Sequence, residues 1–490
     1  MRFATLALLL AGLAVSACSS RANEGAVTIA VIGQNDDPFE SGTRLSYAGQ
    51  LVREATAEGL VAMNGQGEVV PAIAERWIVT EDGKSYFFRI RGSDWPDGKP
   101  LNAASVRDAL RRVIQAYDGT TLGLDLAKIA EIRVMAERVI EVRLKSPMPQ
   151  FLQLLSQPEL GLRVKGEGTG PMVTVDSAEG MLRLQPLPPQ ERGLPQRRDW
   201  NDNVLDVVVR GLPARRAVDA FKRGEVEAVL DGNLSTLPLA DVGPLSAGAF
   251  RIDSGLGLFG IVFRNREGLL ETAERREALS MAIDRSRLIE PFNVAGWTPT
   301  TRLVPAELPG DPTARGARWS GQTLDQRRAV ARTRMAAWAG GRDSPPVLTI
   351  DLPAGPGSNL LLGRLREDLE AIGVRLERPA DGESADLMLV DRPARYADAR
   401  WFLNQFNCTV ARPLCSPVAD LFVRQSLAAA TPQEMTRLLA EAEGALTREE
   451  VFIPLGAPLR WSLVRGSVGG FAENRWARHP LFPMAIAPIS

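Results

Sequence analysis

Acid–base, nucleophilic and metal chemistry in proteins falls largely to histidine, cysteine, serine and carboxylates. This 490-residue chain holds one histidine, His479, and three cysteines, Cys18, Cys408 and Cys415. A Ser-His-Asp triad would have to run through His479. That residue stands beside Pro480 in a C-terminal stretch that reads as a solvated loop. No G-x-S-x-G, H-E-x-x-H or EF-hand motif occurs. Carboxylates are plentiful, but none stands out in spacing as an acid–base pair, so no catalytic residue is assigned. Cys408 and Cys415 lie close together in a stretch with Pro413 and Pro417. In an oxidising compartment they could close a small loop as a disulfide. The alternative is a metal pair, for which no third or fourth soft ligand is in view, and no metal site is assigned. Gly255 to Gly260 fits G-x-G-x-x-G letter for letter. A dinucleotide fingerprint needs a helix after it, so that pyrophosphate meets the helix N-terminus. Ile261 to Asn265 reads as a strand instead. Gly168-Thr169-Gly170-Pro171 lacks the Gly-Lys-Ser/Thr continuation of a phosphate cradle. No cofactor is expected.

The chain around these residues is 45% hydrophobic and 24% charged, with a formal net charge of −1. Its length suggests two or three domains with ample core. The near-zero charge argues against nucleic acid or a membrane surface as partner. At the start, Arg2 precedes an apolar run from Phe3 to Val15. About a dozen residues suit the h-region of a signal peptide, over residues 1–17, and fall short of the ~20 needed to span a bilayer. The run ends Val15-Ser16-Ala17-Cys18. Small residues before a cysteine resemble the bacterial lipobox, in which the cysteine becomes the lipidated N-terminus. Plain secretion with a chance cysteine is the alternative. Several acyl chains on Cys18 would tether a soluble body to a membrane. No later apolar run approaches bilayer length.

The most informative stretch runs from Glu58 to Ile114. Asn64 to Gly67 is a turn cluster. Trp77 to Val79 and Ser85 to Arg91 are β-prone runs around an Asp82-Gly83 turn, a hairpin signal. Tyr86, Phe88 and Ile90 share one face; Phe87, Arg89 and Arg91 share the other. Asn102 is placed as the N-cap of a helix with Val106, Leu110, Val113 and Ile114 at helical spacing. Further on, Val27 to Ile32 reads as a buried strand, and Val204 to Val209, Pro213 to Lys222 and Ala228 to Leu230 as strand, helix and strand. Asp325 to Trp338, Val347 to Asp351, Ser358 to Ile372, Val374 to Glu377 and Ala385 to Val390 continue the α/β alternation.

The order of these segments resembles the family 5 extracellular solute-binding proteins, the peptide, nickel and opine receptors of ABC importers. The likeness is carried by "EGLV", "VVPAIAERW", "DGKSYFFRIR" and "WPDGKPLNAASV", with Ser105 where the family usually has Asp. "RREALSMAIDRSRLIEPFNVAGWTPT" and "LREDLEAIGVRLE" are further anchors. The resemblance implies a type II periplasmic binding protein: two α/β lobes with a cleft, plus an extra α+β subdomain in the first lobe. It places residues 18–46, 165–262 and 455–490 in lobe 1, the inserted subdomain at 47–164, and lobe 2 at 263–454. The crossings then fall near Arg264 and Leu455. A monomer is expected, capturing a peptide-like or anionic solute for an ABC permease and its ATPase. A secreted two-lobed hydrolase, or an envelope lipoprotein with a chaperone or sensing role, is the alternative.

Site residues follow from the same resemblance. Asp37-Pro38 matches the segment that follows the family's first strand along the cleft, which makes Glu40 a candidate; on its own it reads as a solvated loop carboxylate. Asn265 matches the Asn that ends the family's crossing strand. Arg395 to Leu403 aligns with a segment like "DY.DP..FL", adding Asp398 and Trp401. The family's first Asp there pairs with a peptide's free amine in peptide-binding members, and it falls on Arg395. Arg392 falls near an aromatic that often lines the same pocket. A guanidinium repels an ammonium and prefers carboxylate or phosphate. The alternative is that both arginines are surface residues in a shifted loop.

Overall fold

The computed structural model describes residues 25–241, 243, 248–308, 317–340, 344–410 and 413–487. The expected signal peptide, residues 1–17, and Cys18 lie outside the described residues. The apolar run after Gly25 forms the strand Ala26–Ile32 in a seven-stranded sheet. Its order is Met172–Ala178, Met181–Pro186, Asp206–Leu212, Ala26–Ile32, Ala228–Asn233, Leu459–Val464, Phe250–Ser254. Ala26–Ile32 pairs parallel with both neighbours, and Leu459–Val464 antiparallel with both. Side chains alternate across the sheet. Val27, Ile29 and Val31 meet Ala48, Leu51 and Ala55 of the helix Tyr47–Thr56. Ala30 belongs to the core on the other face, with Ala217, Val218 and Phe221 of the helix Ala214–Arg223.

A second sheet repeats the plan, in the order Arg375–Glu377, Val347–Asp351, Leu387–Pro393, Gly257–Phe263, Phe452–Gly456. Here Val347–Asp351 is parallel to both neighbours and Gly257–Phe263 antiparallel to both. The two sheets exchange strands reciprocally. The outer strand of the first, Phe250–Ser254, leads into the antiparallel strand of the second, and Phe452–Gly456 leads back into Leu459–Val464. This is the type II binding-protein architecture. The crossings therefore lie at Gly255–Leu256, ahead of the expected Arg264, and at Ala457–Pro458, beside the expected Leu455. Gly257–Phe263 is buried along nearly all its length, so its sequence suits either sheet; pairing decides which one takes it. The glycines of the G-x-G-x-x-G run serve close packing: a Cβ on Gly260 would lie 2.3 Å from the Ile453 carbonyl oxygen.

The subdomain holds a four-stranded antiparallel sheet, ordered Ala74–Val79, Ser85–Ile90, Val139–Leu144, Ile129–Ala136. Tyr86, Phe88 and Ile90 are buried with Val106 and Leu110 of the helix Ala103–Ala116. Asn102 caps that helix, accepting from Ser105 N at 2.9 Å, and Ser105 Oγ accepts from Asn102 N at 3.2 Å. Ser105 thus completes the capping box that a carboxylate commonly completes, and its hydroxyl also accepts from Trp95 Nε1 at 2.9 Å. One expectation changes. The helix Tyr47–Thr56 packs on the first-lobe sheet and is not part of the subdomain. Arg91 is buried against Glu58, which also takes Arg192 at 2.8 Å. Among the described residues, no helix is long and apolar enough to cross a membrane.

Candidate ligand-binding site

The lobes and the subdomain line a cleft-like cavity of about 1010 Å³ that is open to solvent. The loop after the first strand brings Glu40, whose carboxylate accepts from the Ser46 backbone amide. The start of the helix Tyr47–Thr56 brings Tyr47 and Gln50. The end of the strand Leu387–Pro393 brings Arg392 and, just beyond it, Arg395. The subdomain contributes Tyr117, Gln157 and Glu159, and the C-terminal segment Trp476 and Arg478.

Arg395 is not an uncommitted cation. Its Nη2 lies 2.9 Å from Glu159 Oε1, and Glu159 is only 4% exposed. Burial alone would raise the Glu159 carboxyl, but Arg395 outweighs it and holds the group below its ordinary range. Burial and Glu159 together push the Tyr117 hydroxyl up to about 12. Gln157 Nε2 donates to the Arg395 carbonyl at 2.8 Å, and Arg392 Nη1 donates to Gln405 Oε1 at 2.5 Å. The pair Arg395–Glu159 spans second lobe and subdomain. So does Asn404 Nδ2, which donates to the buried Asp125 at 2.7 Å.

The other sequence-derived candidates do not reach the cavity. Asp398 caps the helix Ala399–Asn404, accepting from Arg400 N at 2.8 Å. Trp401 is fully buried, edge-on to Phe402 with ring centres 4.8 Å apart. Asn265 donates to Asp386 at the far end of the strand pair. Six residues at 3.3 Å each put it about 20 Å from the Arg392 end. His479 is not a solvated loop residue. It is 2% exposed, its Nε2 lies 3.0 Å from Asp253 Oδ2, and its ring stacks on Phe471 at 4.2 Å. Its partner Asp253 comes from a strand 226 residues earlier, which a local reading cannot supply. Cys408 and Cys415 form a disulfide, with Cα atoms 5.2 Å apart, and Thr409 and Val410 beside it line the cavity.

Three residues that the sequence reading passed over also line the cavity: Asp231, Arg460 and Glu159. Glu159 and Arg460 carry no distinguishing local pattern. Asp231 sits in Leu-Asp-Gly-Asn, a turn-like cluster inside a strand that signals a bulge.

Two lobes exchanging strands around a cleft are the type II binding-protein fold. Residues 68–174 match the profile described as bacterial extracellular solute-binding proteins, family 5 Middle. The chain is 23% identical over 464 residues to the periplasmic oligopeptide-binding protein OppA of Salmonella typhimurium, covering 84% of each chain. A stretch of 145 residues is 33% identical to the probable deoxycholate-binding periplasmic protein YgiS of Escherichia coli, covering 23% of this chain and 26% of that protein. Haemophilus influenzae OppA, in complex with the peptide RPPGFSPFR, superposes with a TM-score of 0.78 at 17% identity, over 95% of this chain and 99% of that one. The murein tripeptide binding protein MppA of Escherichia coli superposes with a TM-score of 0.78 at 18% identity, over 95% and 99% of the chains. Its unliganded open form reaches only 0.63.

Proposed function

We propose that the chain is the substrate-binding component of an ABC importer, which captures a small, peptide-like solute between its lobes and hands it to a membrane permease. The observation that carries this reading is the cavity of about 1010 Å³, bounded by both lobes and the subdomain. Ligands of drug size occupy cavities of roughly 300–1,000 Å³, so the space suits a short peptide or a solute of similar bulk. Closure about the two crossings buries the solute and brings the permease-facing edges of both lobes into one surface. ATP hydrolysis belongs to the partner. Glu40, Arg392 and Arg395 are the wall residues assigned to the solute, with Arg395 acting as one half of an ion pair.

Cys18 is proposed as the lipidated N-terminus after cleavage behind Ala17, which would hold a monomeric body at the periplasmic face of a membrane. Labelling of expressing cells with radioactive palmitate should tag the wild type and spare Cys18→Ala. Titration calorimetry tests the central reading. Stoichiometric binding of a short peptide recovered unchanged supports capture and delivery; conversion of the peptide to products would replace it with a hydrolase.

A further inference from the structure

We infer that Asp231 is the acceptor in the cleft for a positively charged group on the solute. This rests on the solute-capture reading and adds where the cation goes.

The backbone points to it first. The strand Ala228–Asn233 pairs with Leu459–Val464, and the register shifts between Val229 and Gly232. Inside that bulge Asp231 adopts φ 64°, in the left-handed region that side-chain-bearing residues seldom enter. The bulge is wedged in place. Trp461 is fully buried, and any Cβ at Gly232 would lie 2.0 Å from its ring. Trp461 Nε1 donates to the Asn233 carbonyl at 3.0 Å. A regular strand would continue the ladder; this one turns Asp231 out of it and into the cavity wall. Backbone strain held in place by its surroundings gathers where function requires it.

Charge points the same way. Asp231 Oδ1 lies 3.4 Å from Arg460 Nε, while Arg460 Nη1 donates to Asp391 at 2.7 Å and Nη2 to the Asp391 carbonyl at 3.3 Å. One guanidinium thus serves two carboxylates and favours the other. Asp37 and Tyr47, from the loop and helix packed nearby, face Asp231 with a further carboxylate and a hydroxyl. Burial raises the Asp231 carboxyl to about 6, Asp391 and Asp37 push the same way, and Arg460 only partly opposes them. The group is ionised near neutral pH with its charge incompletely answered. The Glu159 carboxylate differs, because Arg395 already answers it. An ammonium or guanidinium entering the cavity would complete the balance at Asp231, whereas the Arg395–Glu159 pair already balances itself.

The test uses the purified mature protein, Asp231→Asn and Asp231→Gly. Asparagine keeps the size and tolerates a left-handed backbone, and glycine adopts it without strain. Each is equilibrated with an enzymatic casein hydrolysate, or with the same hydrolysate after acetylation of its amines, and retained arginine-free peptides are quantified by mass spectrometry. The wild type is expected to retain amine-bearing peptides at least tenfold over their acetylated forms. Both variants should lose that preference at unchanged circular dichroism. Equal retention of acetylated peptides by the wild type, or an intact preference in both variants, would overturn the assignment. Retention of nothing from either hydrolysate would remove peptide capture itself, and this inference with it.

Discussion

Asp231 should cost the empty protein stability, and the sign can be worked out. Its folded carboxyl titrates at about 6, above the ordinary 3.8. The folded state therefore binds this proton more tightly than the unfolded chain, and stability falls as pH rises between about 4 and 6. Asp231→Asn is expected to raise unfolding free energy at pH 8 by about 2 kcal/mol and to change it little at pH 4, as read by urea denaturation at both values. The pair Arg395–Glu159 behaves oppositely. The Glu159 carboxyl is held low, so its contribution is full above the unfolded value of about 4.3 and is lost as pH falls further. Removing the cation leaves a buried charge uncompensated: Arg395→Ala should cost about 2–4 kcal/mol, and Glu159→Gln in the same chain should recover most of it. The alignment with the family placed Arg395 near a ligand. Nothing in the residues 393–397 indicated that Glu159, 236 positions earlier, would neutralise it.

Elements were more legible than sites because their causes are local. The hairpin Ala74–Val79/Ser85–Ile90 follows from β-prone runs about an Asp-Gly turn, and Gly83 supplies the positive φ of 65° there. Asn102 was readable as a cap from its place before an apolar periodicity. Asn102→Ala should lower stability by about 1 kcal/mol in thermal melts, with the loss confined to the subdomain in hydrogen exchange. Ser105 looked like a departure from the family pattern, yet its hydroxyl fills the capping role and binds Trp95. The strand Gly257–Phe263 was legible as a strand, but its sheet was not. Strands buried on both faces read as continuous apolar runs whichever neighbours they take.

At the scale of the whole molecule, polar contacts join the second lobe both to the first lobe and to the subdomain, and a clamp that reopens must break them. Asn404 to Asp125, Ala397 N to Gln153 Oε1 at 3.1 Å, and Ser146 Oγ to the Leu427 carbonyl at 2.8 Å join subdomain to second lobe. Asn404→Ala should shift the population toward an open form, seen as a larger radius of gyration in X-ray scattering, and speed solute release. The sequence alone determined the α/β class, the resemblance to family 5 over residues 68–174 and most helices and strands, because periodicity, caps and turns act over a few residues. Tertiary structure alone decided which sheet takes each crossing strand, that His479 is a buried partner of Asp253, and which acids reach the cavity. Those outcomes depend on pairing between segments hundreds of residues apart, where burial and a single opposing charge fix what each side chain can do.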